Sequence, residues 1–125
     1  MGQAKRIRVL VVDDEDRLRH MAKDLLQAER NIEVVGEAAD GRTAVHLSSE
    51  LAPDLIVMDI AMPQLNGLEA TRLIRNKPLS PQIIIITAMA AEPYRKAAMA
   101  VGATPFLSKG ALYTELIPTI QTMFC

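Results

Sequence analysis

The sequence predicts an α/β fold in which a doubly wound, five-stranded parallel sheet is built from five consecutive βα units. Short apolar runs rich in β-branched residues alternate with amphipathic stretches whose apolar residues have the spacing of one helix face. The apolar runs are continuous rather than interrupted by polar residues, which indicates strands that are covered on both faces. A parallel sheet with helices on each side, joined by right-handed crossovers, satisfies both observations.

Five apolar runs predict the strands, at 7–12, 32–35, 55–58, 83–86 and 105–108. The first, third, fourth and fifth runs stop at Asp13, Asp59, Thr87 and Lys109. The second run ends near Gly36, where Gly36 and Glu37 offer little chemistry. Because ligands of such sheets bind beyond the carboxyl ends of the strands, these polar residues are expected to meet at one edge of the sheet.

Helical patterns fill the intervals between the strands. A turn signal at Asp40-Gly41 precedes the second helix, and Pro53-Asp54 ends it. Gly102 has the C-terminal capping position of an Ala-rich fourth helix. Pro118 lies inside the last pattern, where it is expected to kink the helix or delay its start. The predicted helical stretches are 18–26, 44–51, 68–75, 92–101 and 112–124.

Composition and charge fit one domain, 1–125, and exclude several classes of function. The chain has 125 residues, half of them hydrophobic, and a formal net charge of −1, so it lacks the basic footprint of a nucleic-acid-binding domain. No apolar stretch approaches the roughly 18 residues of a membrane span. The single cysteine, Cys125, has no disulfide partner, which fits a reducing cytoplasm.

The residues at the strand ends have a definite chemistry when they are taken together. Asp13, Asp14 and Asp59 would share one cleft, where two carboxylates about 5 Å apart repel by about 3 kcal/mol at an effective dielectric near 20. Such a group needs a cation, and oxygen ligands favour a hard ion such as Mg²⁺. Lys109 supplies a point charge and Thr87 a hydroxyl, which are partners that a phosphoryl group needs. Asp59 is then the candidate nucleophile, because a carboxylate can form an acyl phosphate.

Short motifs at the strand ends occur in a specific order: VVDD at 11–14, VMDIAMP at 57–63 with Gly67 after it, ITA at 86–88 and FLSK at 106–109. In this order and spacing, the sequence resembles the receiver domains of two-component response regulators over nearly its whole length. Further motifs are closest to the NarL/FixJ-type branch of that family, namely IRVL at 7–10, VVGEA at 34–38, DG at 40–41 and GLEA at 67–70.

The resemblance implies a flavodoxin-like receiver fold with strand order 2-1-3-4-5. It implies a signalling switch that catalyses only its own phosphorylation and dephosphorylation. Asp59 would be the phosphoacceptor, and Thr87 and Lys109 would hold the phosphoryl oxygens. The resemblance also implies a Mg²⁺ or Mn²⁺ ion, bound by Asp14, Asp59 and the backbone carbonyl of Ala61, with Asp13 assisting through a water molecule.

Further implications concern the switch and its partners. Phe106 would turn inward as Thr87 moves, which would reshape the face formed by the fourth helix, fifth strand and fifth helix. A sensor histidine kinase would donate the phosphoryl group, and a second copy of the chain is a further partner in a homodimer. Transcription would be controlled through a C-terminal helix-turn-helix domain that this chain does not contain. DNA would be bound only there, the protein would be cytoplasmic, and no membrane contact is expected.

Two features depart from commoner receiver sequences. Lys109 is followed by Gly110 where many receivers have proline, which agrees with the NarL/FixJ-type branch. Ala61 and Met89 lie two residues after Asp59 and Thr87, and neither side chain can orient a water molecule. We therefore expect slow loss of the phosphoryl group.

Simpler structural roles and other functions are alternatives to this interpretation. The acids Asp13-Asp14-Glu15 could merely cap the N-terminus of the first helix. Thr87 could be an ordinary strand residue, Lys109 a solvated surface lysine, and Phe106 a core residue. A flavodoxin-like cofactor binder is one alternative function, although the three acids would repel its phosphate. An aspartyl-phosphate hydrolase of the dehalogenase type is another alternative, although that class requires a second acid at the position that Ala61 occupies. A third is a receiver used only for docking, against which the intact acidic set argues.

Overall fold

The computed structural model describes residues 6–60, 66–78, 80–87, 96, 100 and 105–124. Its five strands form one parallel sheet in the order β2-β1-β3-β4-β5, as predicted. The strands are β1 (Ile7–Val12), β2 (Ile32–Ala38), β3 (Leu55–Asp59), β4 (Gln82–Thr87) and β5 (Phe106–Ser108). The helices are α1 (Asp16–Gln27), α2 (Gly41–Leu51), α3 (Gly67–Arg75) and a C-terminal helix (Leu112–Met123), which follows a 3₁₀ turn (Lys109–Ala111).

The core consists of two aliphatic layers, one on each face of the sheet. Because successive strand residues point to opposite faces, alternate residues of β1, β3 and β4 enter alternate layers. Ala22 and Leu26 of α1 share one layer with Leu116 and Ile120 of the C-terminal helix. The opposite layer contains buried residues of α2 and α3. The helices therefore cover both faces, which confirms the doubly wound architecture and explains the continuous apolar strands.

The second strand is longer than predicted, because it continues through Gly36 to Ala38. A Cβ atom on Gly36 would lie 2.7 Å from the side chain of Leu51 in α2. Glycine leaves room for this close contact with the Leu51 side chain, and the pairing of β2 with β1 has a one-residue irregularity just before Gly36. The prediction that the strand ends near Gly36 is therefore wrong.

The C-terminal helix contains Pro118 in its interior. The helix nevertheless begins at Leu112, so the predicted alternative of a delayed start is wrong. Leu116 and Ile120 are fully buried on either side of the proline in sequence, so packing against the sheet holds the helix in spite of the missing N–H donor.

The predicted fourth helix, 92–101, lies mostly outside the described residues, and so does its predicted capping residue Gly102. Lys96 and Ala100 are described, and both are helical. Within the ranges that the structure describes, no helix combines the length and the apolar character that crossing a bilayer would require.

Asp40 caps the N-terminus of α2, where its Oδ1 accepts a hydrogen bond of 2.8 Å from the backbone N–H of Thr43. This backbone hydrogen bond is the main reason why the pKa of Asp40 lies below its ordinary value of 3.8. We predict that Asp40→Ala lowers the free energy of unfolding by about 1 kcal/mol at pH 7, because an N-cap acceptor is lost. Asp40→Asn should cost less, because its amide oxygen can still accept the bond.

Urea unfolding of the three chains between pH 7 and pH 2.5 checks this prediction. A carboxylate with a lowered pKa stabilises the fold above its unfolded-state pKa, and this contribution is lost as pH falls through the folded-state value. The advantage of the unaltered chain over Asp40→Asn should therefore shrink once the pH falls below about 3.8. A difference that stays constant over this range would contradict the assignment of the cap to the ionised carboxylate.

Candidate functional site

Three aspartates meet at the carboxyl edge of the sheet. β1 and β3 are adjacent and parallel, and Val12 pairs with Met58, so the residues that follow them, Asp13 and Asp59, lie side by side. Carboxylate oxygens of Asp13, Asp14 and Asp59 all lie within 4.8 Å of one another. Asp13 and Asp59 are buried, whereas Asp14 is exposed, so the group has an open side.

Lys109 lies against the same group. It follows β5, and its Nζ atom is 3.2 Å from Asp13 Oδ2 and 3.3 Å from Asp59 Oδ2. A third carboxylate, Glu15 Oε1, is 3.3 Å from the same atom but lies at the exposed rim. Thr87 is the last residue of β4, between the strands that end at Asp59 and Lys109, and it is buried. The structure thus brings the predicted acids and the predicted amine together, with the predicted hydroxyl on the strand between them.

Burial and charge oppose each other in this cleft. Burial raises the pKa of Asp13, although the Glu15 backbone N–H and Lys109 pull it in the other direction. Burial alone would lower the pKa of Lys109, but the charges of Asp59 and Asp13 outweigh it, and the pKa is raised. Lys109 is therefore positively charged at neutral pH, and its single charge faces several carboxylates. The remaining negative charge and the all-oxygen donor set suit a hard divalent cation such as Mg²⁺.

The backbone of the acidic turn is held at several points. The backbone N–H of Asp13 donates to the Ala38 carbonyl oxygen at 3.0 Å, and that of Glu15 donates to Asp13 Oδ1 at 2.8 Å. Arg19 Nη1 donates to the Asp13 carbonyl oxygen at 2.7 Å, and Glu37 accepts from the same guanidinium group. Arg19 and Glu37 are not among the site residues that the sequence predicts. The available signal was weak, because Glu37 is one of two glutamates in a strand whose other residues are apolar or glycine.

α3 begins in close contact with the strand that carries Asp59. The backbone N–H of Gly67 donates to the Ile60 carbonyl oxygen at 2.8 Å. A Cβ atom at Gly67 would lie 2.2 Å from the Asp59 carbonyl oxygen and 2.8 Å from Ile60 Cα. Only glycine allows α3 to start at this distance from the backbone of the candidate nucleophile.

The other predicted site residues have the following positions. Phe106 is the first residue of β5, is half-buried, and packs against the core layer on the side of α2 and α3. Gly110 lies in the 3₁₀ turn after Lys109 and is exposed. Ala61, the predicted carbonyl ligand, lies outside the described residues, and so does Met89.

A family model for the response regulator receiver domain matches residues 9–121. The chain belongs to the response regulator receiver family. This assignment confirms the predicted resemblance, and it sets aside the cofactor binder and the dehalogenase-type hydrolase as accounts of the same fold.

Relatives agree with the predicted NarL/FixJ-type branch. Response regulator GacA of Pseudomonas aeruginosa is 37% identical over 119 residues, which are 94% of this chain and 55% of GacA. Transcriptional regulatory protein LiaR of Bacillus subtilis is 36% identical over 115 residues, which are 92% of this chain and 54% of LiaR. This receiver chain therefore spans about half the length of these two relatives.

A solved structure agrees with the fold in detail. The signal receiver domain of the response regulator NarL from Mycobacterium tuberculosis superposes with a TM-score of 0.91 at 28% identity, covering 96% of this chain and 97% of that domain. The fold that the receiver family uses is thus the fold that the alternation of apolar and amphipathic segments predicts.

Glycine at position 67 should be far more important to this receiver than glycine at position 110. We predict that Gly67→Ala lowers the free energy of unfolding by about 2–3 kcal/mol, because the added methyl group overlaps backbone atoms that cannot rotate away. Gly110→Ala is the matched control, since nothing lies within 4 Å of its Cβ position, and its change should stay within about 0.5 kcal/mol. Urea unfolding measures both, and equal losses would contradict the predicted overlap.

Proposed function

We propose that this receiver takes a phosphoryl group on Asp59 from a sensor histidine kinase and catalyses that transfer itself. The single observation that carries the proposal is the position of the Asp59 carboxylate. It is buried, has Lys109 Nζ 3.3 Å away, and shares a 4.8 Å cluster with the oxygens of Asp13 and Asp14. Family membership supports the same role, because receivers of two-component systems are signalling domains.

The acidic cluster fits a Mg²⁺ or Mn²⁺ ion. Asp13, Asp14 and Asp59 would hold the ion, together with the backbone carbonyl of Ala61, which lies outside the described residues. When bound, such an ion neutralises the charge on the phosphoryl oxygens and on the attacking carboxylate. The exposed position of Asp14 supports an open coordination side, toward which a phosphoryl donor could approach.

The remaining chemistry belongs to side chains of this chain. An Asp59 carboxylate oxygen forms the new bond to phosphorus, and the bond from phosphorus to the histidine nitrogen of the kinase breaks, with its electron pair leaving on nitrogen. The ammonium group of Lys109, which pairs with Asp59 before transfer, would then also pair with the transferred phosphoryl oxygens. The hydroxyl of Thr87 would donate a hydrogen bond to one of them.

We further propose that phosphorylation switches the face formed by β5, the C-terminal helix and the segment around residues 92–101. Thr87 would move toward the phosphoryl group and Phe106 would fill the space that it leaves.

The receiver, as domain 1–125 of a cytoplasmic protein, would then control transcription through a helix-turn-helix domain of the full protein. A homodimer formed through the switched face is the arrangement that we propose for the active state.

Phosphorylation is tested with acetyl phosphate as a small-molecule donor. We expect intact-mass spectrometry to find one phosphate adduct on the unaltered chain in the presence of Mg²⁺ and none on Asp59→Asn. Asp54→Asn is a matched control, because Asp54 lies at the opposite end of β3 and should leave the adduct intact. An adduct on Asp59→Asn, or none on the unaltered chain, would contradict the assignment. A receiver that signals unchanged with Asp59→Ala would be a docking module.

The phosphoryl group should be lost slowly. Ala61 and Met89 replace the polar side chains that could orient an attacking water molecule, so hydrolysis must proceed without that assistance. The decay of the adduct after donor removal measures the rate. Introducing a polar side chain by Met89→Gln should accelerate the decay, and a lifetime of seconds for the unaltered chain would refute the prediction.

A further inference from the structure

We propose that Arg19 is a positioning residue that, anchored by Glu37, holds the acidic turn 13–15 in the shape that binds the divalent cation. This inference rests on the proposed function and deepens it. It assigns a role to two charged residues outside the predicted ligand set, and it identifies what fixes the backbone between Asp13 and Asp14.

The Arg19 guanidinium group joins three elements of the structure. Nη1 donates to the carbonyl oxygen of Asp13 at 2.7 Å, and Nε donates to Glu37 Oε1 at 2.9 Å. Nη2 donates to Asp16 Oδ1 at 2.5 Å, in the first turn of α1. The Arg19 side chain is only 14% exposed, so its bonds to Asp13 and Glu37 are partly shielded from water, whereas Asp16 lies at the surface. The planar guanidinium group has fixed donor directions, so it holds these three acceptors in one defined arrangement.

The irregularity in β2 places Glu37 within reach of Arg19. Val9 pairs with Val34, but the next residue, Leu10, pairs with Gly36, so Val35 is the extra residue. A one-residue shift moves all later side chains to the opposite face of the sheet. Glu37 consequently pairs with Val11, whose side chain lies in the core layer on the α1 side.

The opposite orientation of Gly36 agrees with this assignment. Its Cβ position faces the side chains of Leu51 and Leu10, which belong to the α2 side. If the pairing stayed regular after Val34, Glu37 would pair with Val12, which lies in that same layer, away from Arg19. The irregularity therefore connects the end of β2 to the acidic turn.

The contact with the Asp13 carbonyl matters because it fixes the peptide plane that leads into Asp14. Asp14 is exposed, and within the described part of the chain no hydrogen bond holds its side chain. Its direction therefore depends on the backbone, which must keep Asp14 beside two other carboxylates that repel it. Arg19 restrains this peptide through its carbonyl oxygen. The Ala38 carbonyl restrains the preceding peptide through the N–H of Asp13.

Lys23 provides a matched control for the charge of Arg19. Its Nζ atom lies 2.6 Å from Glu37 Oε2, so it pairs with the same carboxylate. Within the described residues, the side chain of Lys23 makes no hydrogen bond or ion pair with the acidic turn. Arg19→Gln and Lys23→Gln each remove one positive charge from Glu37, and only Arg19→Gln removes the bond to Asp13. If charge alone mattered, either change would leave the cleft more negative and would tighten cation binding.

Calorimetric titration with Mn²⁺ tests the proposal, with urea unfolding of each variant to establish that it is folded. We expect Arg19→Gln to bind Mn²⁺ about 10-fold more weakly, the loss typical of residues that orient metal ligands. Lys23→Gln should bind within about 2-fold of the unaltered chain, because it loses only a partly exposed ion pair. Equal affinities of Arg19→Gln and Lys23→Gln, or tighter binding by both, would overturn the proposal and leave the proposed function intact.

Two further measurements keep the test decisive if Arg19→Gln does not fold. Glu37→Gln keeps Arg19 but weakens its anchor, and it should also reduce Mn²⁺ affinity, although less. Amide hydrogen exchange in the metal-free chain should be faster at Glu15 in Glu37→Gln than in Lys23→Gln, because the turn is less restrained. Unchanged exchange and unchanged affinity in Glu37→Gln would overturn the proposal. Failure of the unaltered chain to bind Mn²⁺ would overturn the proposed metal site, and this inference with it.

Discussion

The architecture of the site depends on mutual repulsion between carboxylates that the fold forces together. Asp13, Asp14 and Asp59 have oxygens within 4.8 Å of one another, and two of these side chains are buried. One lysine ammonium offsets only part of the charge. Such an arrangement is costly for a protein without a cation, and that cost favours the binding of a small, hard cation between the carboxylates.

The sheet order explains how residues far apart in sequence reach this site. β1 and β3 are neighbours, so their terminal acids meet directly, whereas β5 is separated from β3 by β4. Lysine is suited to the position after β5, because its flexible stem can carry a charge past the end of the intervening strand. The outer strand β2 contributes from the other direction, since Glu37 anchors the guanidinium group that contacts Asp13.

The parts of this structure that the sequence predicts are those that follow from local chemistry. The strand cores are visible as β-branched runs, and Asp13, Asp59, Thr87 and Lys109 are conspicuous because each one ends such a run. The end of β2 was not predictable, because glycine at position 36 resembles a turn signal. Its role in the strand, which is to leave room for the Leu51 side chain, is visible only in the structure. The pairing of Glu37 with Arg19 depends on a change of strand register, which leaves no periodic signal in the sequence.

The position of Lys109 indicates how phosphorylation could alter the surface of the receiver. Its ammonium group is shared between two buried acids and the exposed Glu15. Ion pairs with exposed acids contribute about 0–1 kcal/mol, so the contact with Glu15 is the easiest of the three to lose. A phosphoryl group on Asp59 would place additional negative charge beside the amine and would draw it inward. Because Lys109 directly follows β5, this movement would pull on the strand that carries Phe106. A change of charge at one carboxylate would in this way reach the opposite core layer, where Phe106 packs.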